Sequence, residues 1–90
     1  DYRVDVTQVK KLLHNAALQC PRVLHDPAPA AYLSNFGADG LEFTLCYFIN
    51  DAENGQLNVR GEVNLAVLEG LRAAHIEIAY PQRVVHQTKS

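Results

Sequence analysis

From Leu41 to Ile49 the chain alternates between two kinds of side chain, and that period of two constrains its fold more than any other feature. Leu41, Phe43, Leu45, Tyr47 and Ile49 share one side of an extended strand, while Glu42, Thr44, Cys46 and Phe48 share the other. The first set requires a covering layer. The second is mixed, as in a sheet whose far side meets water or a neighbour. Ala31–Phe36 reads as a partner strand. Gly37-Ala38-Asp39-Gly40 lies between the two and tolerates the positive φ of a tight turn, so the pair is a β-hairpin.

The period changes on either side of this hairpin. Val9, Leu12, Leu13, Ala16, Ala17 and Cys20 recur every three or four residues, which places them along one side of a helix. Asp5 is its expected N-cap, Gln8 stands at the capping-box position, and Pro21 stops it. Asp26-Pro27-Ala28-Pro29 is expected to be an extended connector, because each proline biases its predecessor away from helix. After the polar loop Asn50–Gln56 a second helix is expected over Asn58–Ala74, with Val59, Val63, Val67, Leu71 and Ala74 facing inward. Ile76-Glu77-Ile78 alternates as a short strand, Pro81 breaks it, and Val84-Val85 suggests a final extended piece.

This order of elements indicates an α+β fold: a ferredoxin-like βαββαβ sandwich with its first strand truncated, followed by a short C-terminal strand. Only Asp1–Val4 are available for that first strand. Its place in the sheet is therefore expected to be filled by another copy or by the chain's own tail. The expected division is a ferredoxin-like domain over residues 1–80 and an extended tail over 81–90.

Composition excludes several classes of function. Ninety residues amount to one domain or a piece of one, and 48% hydrophobic content is too high for disorder. A net charge of −2 lacks the basic stripe of a nucleic-acid module. Cys20 and Cys46 are too few for a disulfide scaffold and show no zinc spacing, so they read as thiols in a reducing compartment. No apolar run approaches the roughly 18–20 residues of a membrane-spanning helix, and the N-terminus does not have the form of a signal peptide.

No residue pattern argues for catalysis. His14, His25, His75 and His86 lie on separate elements without metal-ligand spacing, and no metal or cofactor is expected. Cys46 sits mid-strand, where packing accounts for it. Asp51 and Glu53 read as a solvated acidic turn. Gly37–Gly40 has the spacing of an RNA-clamping loop but joins two strands and has no flanking lysine or arginine.

Two features instead suggest association. Gly61, Leu65 and Leu68 form a second, narrower stripe on the second helix, well away from the first. Gly61 and Gly70 each cost about 1 kcal/mol relative to alanine inside a helix, which calls for a compensating contact. The tail, with Pro81, Val84 and Val85, has the character of a strand that gains by pairing with another.

A set of residues in order extends this reading. It comprises Asp5 before Val9 and Leu12-Leu13, then Arg22-Val23-Leu24, Asp26-Pro27 with Pro29, Phe36-Gly37, Leu41 with Phe43, and Ile76, Ile78 and Tyr80-Pro81-Gln82. With these the chain closely resembles the C-terminal cytoplasmic domain of the small-conductance mechanosensitive channel (MscS) family. That resemblance implies a bacterial inner-membrane channel, a homoheptamer gated by bilayer tension and passing osmolytes and ions. Its pore helices and middle β-domain would lie upstream as partners of this domain. It also implies that Pro81–Thr88 would supply one strand to a small parallel barrel on the symmetry axis. Three residues depart from the family's habit: His75 replaces a glycine closing the second helix, Ala79 a proline and Phe48 a tryptophan. A non-glycine residue at position 75 is strained if the helix ends in a left-handed turn there.

The function expected is that of a non-catalytic assembly domain on the cytoplasmic side of the membrane, with Gly61, Leu65, Leu68, Pro81, Val84 and Val85 as interface candidates. One rival is a regulatory ferredoxin-like module binding a small molecule between copies. An acylphosphatase-like hydrolase using Arg22 or Arg60 beside Asn35 or Asn50 ranks third, without a phosphate-cradling loop.

Overall fold

The hairpin strands are β1, Ala30–Gly37, and β2, Gly40–Ile49, paired antiparallel from Ala30↔Cys46 to Gly37↔Gly40. The computed structural model describes residues 4–37 and 40–86. The register slips between Leu33 and Asn35, a bulge at which Ser34 Oγ donates to the carbonyl and the carboxylate of Glu42. Along β2 the alternation holds as expected: Phe43, Leu45, Tyr47 and Ile49 are buried, and their neighbours are half-buried.

Helix α1 spans Val6–Leu18. Asp5 caps it, its Oδ1 accepting from the backbone N–H of Thr7 and Gln8 at 3.0 and 3.2 Å, which satisfies two otherwise orphaned donors. Val9, Leu13, Ala16 and Ala17 are buried, and the helix ends three residues before Pro21. The connector differs from the expected extended run, bending over residues 25–27. Helix α2 spans Gln56–Ala73, with Val59, Val63, Val67 and Leu71 buried. Both helices pack on the Phe43/Leu45/Tyr47/Ile49 side of the sheet, in one continuous apolar cluster. Ala74, expected to face inward, is the half-buried C-cap.

The end of α2 is strained at the position where the family resemblance implies a glycine. His75 has φ 57°, the left-handed region that disfavours a side chain. His75 N–H bonds to Arg72 C=O at 3.2 Å and Ile76 N–H to Leu71 C=O at 2.9 Å. This double bond pattern is a Schellman ending, which turns the chain sharply back toward the sheet.

The returning segment departs from expectation in two respects. Ile76-Glu77-Ile78 does not form a strand; pairing with β2 starts at Ala79, which bridges Glu42. Pro81 does not break the run. Ala79 and Pro81 carbonyls accept from Phe43 and Leu45 N–H at 2.8 and 3.0 Å, and β3, Gln82–His86, continues in the same register beside Leu45–Ile49. Proline has no N–H, so it removes one rung and leaves its neighbours aligned.

The sheet order is β1-β2-β3, with β3 parallel to β2. In a full ferredoxin-like arrangement the first strand would stand between these two. Here the chain's own last strand takes that place, one of the two outcomes expected. Val4 is not in a strand and packs partly against the core, whereas Asp1–Arg3 lie outside the described residues. So do Gln87–Ser90, and with them the end of the expected 81–90 tail.

Candidate assembly surface

Helix α2 is apolar on two separate faces, and only one of them is buried in the core. Leu57, Gly61, Leu65 and Leu68 follow at intervals of four, four and three, which lines them up along the helix. Leu57 is 84% exposed, Leu65 63% and Leu68 39%. Gly61 is exposed too, and a Cβ there would meet nothing within 4 Å. Gly70 is different: a Cβ would lie 3.0 Å from Leu12 Cδ2, so the glycine permits the close approach of α1. The domain's own packing thus explains one of the two helical glycines and leaves Gly61 unexplained.

Leu57 was not legible as part of the stripe, because the sequence placed the helix start one residue beyond it. Phe36, 66% exposed near the hairpin tip, is a further apolar surface residue that the alternation pattern alone does not single out.

The β3 candidates fall on different surfaces. Val84 pairs with Tyr47, shares its helix-covered side and packs partly against the core. Val85 pairs with Phe48 on the opposite side, half-buried, and Pro81 is exposed. The two groups of candidates therefore do not merge into one patch. Polar bonds anchor the start of β3 beneath α2. Arg60 Nη2 donates to Gln82 C=O at 3.1 Å, Gln82 Nε2 donates to Arg60 C=O at 3.3 Å, and Tyr80 donates to Asn64 Oδ1 at 2.6 Å.

Several of the polar residues considered for chemistry have structural partners. Arg22 donates to both carboxylate oxygens of Asp51, at 2.7 and 3.1 Å, and to its carbonyl at 3.1 Å. That contact holds the Asp51 carboxyl below its ordinary range. Arg60 is engaged with Gln82, and the Asn35 side chain accepts from Phe36 N–H at 2.8 Å. His14 Nδ1 lies 2.9 Å from Pro29 C=O. Cys20 is buried, which pushes its thiol pKa up, the reverse of nucleophile activation. No group of three potential metal ligands occurs among the described residues.

The family described as "Mechanosensitive ion channel MscS, C-terminal" matches residues 1–78. The chain belongs to that family. The match to the MscS C-terminal domain ends at Ile78, one residue before pairing with β2 begins. The mechanosensitive channel MscK of Escherichia coli is 33% identical over 85 residues, 94% of this chain. An uncharacterized MscS family protein of Haemophilus influenzae is 32% identical over 81 residues, 90% of this chain. The chain spans only 8% and 7% of the lengths of these two relatives. MscS C-terminal domains are channel parts and not an enzyme class. No helix among the described residues is long and apolar enough to cross a membrane.

Proposed function

We propose that this chain is the assembly domain of a tension-gated channel that releases ions and osmolytes on hypo-osmotic shock. The domain lies on the cytoplasmic side of a bacterial inner membrane and works mechanically, without catalysis. Its core fixes a rigid shape, and copies of it associate into a homoheptameric cage beneath pore helices and a middle β-domain supplied by the rest of the protein. The last strand, with Pro81, Val84 and Val85, provides contacts at the symmetry axis. The α2 stripe, with Gly61, Leu65 and Leu68, provides a second contact between copies.

Membership of the MscS C-terminal family is the observation that carries this reading. Exposed leucines on a helix whose other side is already buried support it. Native mass spectrometry of the full-length parent in detergent tests it. Val85→Asp is the cleaner probe, because Val84 packs against the core and its replacement also weakens the fold. The variant is expected to lower the heptamer fraction while the domain keeps its circular dichroism. An unchanged heptamer fraction would count against the role given to the last strand.

A further inference from the structure

Two unlike apolar surface features lie at one end of the domain, on its opposite edges. Phe36 pairs with Leu41, so it stands on the helix-covered side of β1, an edge strand of the sheet. Helix α1 covers that side at Ala31, through Thr7, Lys10, Lys11 and His14, whereas Leu33 and Phe36 further along are exposed. On the other edge, between the end of α2 and the segment returning to β3, lies a groove of about 450 Å³. Leu68, Leu71, Ile76 and Ile78 line it, and the exposed Arg72, His75 and Glu77 complete it.

Their placement suits a contact between successive copies. The Glu42–Ala79 bridge sets the returning segment beside the start of β2, next to the Phe36–Leu41 pair, so Phe36 and the groove stand at the same height. One flank of the domain is β1 with α1, tied by His14 and Pro29; the other is β3 with α2, tied by Arg60 and Gln82. Rotation about an axis along the strands therefore carries the Phe36 flank of one copy onto the groove flank of the next. Such a head-to-tail contact repeats around a ring of any number of copies, odd numbers included. The chemistry matches as well. The apolar floor takes a phenyl group, Arg72 suits its aromatic face, and Glu77 suits the exposed Lys10 and Lys11 beside β1.

We infer that Phe36 of one copy seats in the groove beside Leu68 of the next, a head-to-tail contact that passes from neighbour to neighbour around the ring. This rests on the homoheptameric reading and names the surfaces through which neighbours meet. It also gives one end of the α2 stripe its place, because Leu68 belongs to both stripe and groove. Phe36 and Leu33 cover little beside the roughly 800 Å² per partner of a durable interface. The contact therefore adds to those of the last strand and the upstream domains and does not assemble the channel alone.

Cross-linking of the full-length parent with a short bis-maleimide tests the inference. A chain carrying both Phe36→Cys and Leu68→Cys is expected to give a ladder on a denaturing gel that climbs past the dimer to the heptamer. That ladder should be absent from the wild type and from each single variant, and coexpressing the two single variants should stop at the dimer. Phe36→Asp, at an exposed position that spares the core, should lower the heptamer fraction in native mass spectrometry about threefold or more. A double variant that gives no cross-link, or one whose products stop at the dimer, overturns the head-to-tail contact. If the wild-type parent is heptameric in that case, only this inference falls and the assembly reading stands. A wild-type parent that is not heptameric removes the assembly reading itself.

Discussion

The hydroxyl of Tyr47 donates a 2.6 Å hydrogen bond to Oε1 of Gln82, tying the central strand to the strand beside it under the cover of α2. Gln82 in turn exchanges bonds with Arg60, so one side chain joins sheet and helix at the point where β3 begins. Tyr47→Phe should keep the packing and leave that amide oxygen without its donor, costing about 1 kcal/mol by denaturant unfolding.

The same tyrosine sets the alkaline limit. Burial pushes its pKa from 10.0 up to about 12. A folded pKa above the unfolded one means that the contribution is complete below pH 10 and is lost as pH rises toward 12. Burial, and secondarily Glu62, raises Cys20 in the same sense. Wild-type stability should therefore fall through this window, and Tyr47→Phe should flatten the upper part of the decline. Parallel profiles for the two proteins would show that Tyr47 is not responsible.

Asp51 works in the opposite direction. Arg22 hydrogen-bonds its carboxylate and lowers its pKa from 3.8, with Asn54 adding a smaller effect. The stabilisation is present above pH 3.8 and disappears as pH falls through the lower folded value. Asp51→Asn should thus be less stable than wild type at neutral pH and converge with it in acid. A gap that persists unchanged at pH 2 would assign the loss to something other than the ion pair.

His75 holds a left-handed conformation at φ 57°. The penalty for a side chain there is about 1–2 kcal/mol, part of which glycine returns through its more flexible unfolded chain. His75→Gly should stabilise the domain by about 0.5–1 kcal/mol, raising its melting temperature by about 4 °C. His75→Ala should bring no such gain. Equal melting temperatures for the glycine and alanine variants would rule out backbone strain as the cause.

The helical glycines separate by their surroundings. Gly61→Ala adds a methyl in open space and should stabilise the monomer by about 0.5–1 kcal/mol through helix propensity. Gly70→Ala places its methyl 3.0 Å from Leu12 Cδ2, so Leu12 must shift and the gain should shrink or reverse. Thermal melts of the two variants side by side check the order.

The amino-acid sequence by itself determined whatever depends on near neighbours along the chain. The alternation over Leu41–Ile49, the three-to-four spacing of Val9, Leu13, Ala16 and Ala17, and the Asp5 cap all follow from side chains a few residues apart. Those periods are fixed by backbone geometry, whatever the rest of the fold does. Whether another copy or the chain's own tail takes the second place beside β2 was not legible, because pairing joins Leu45 to Gln82 across a helix and no local pattern records it. For the same reason Ile76–Ile78 looked like a strand although pairing starts at Ala79, and Pro81 looked like a break although only one rung is lost. The exposure of Leu57 and the separate roles of Gly61 and Gly70 also waited on tertiary packing. A residue's spacing tells which side of a helix it occupies, but only the neighbouring elements decide whether that side is covered.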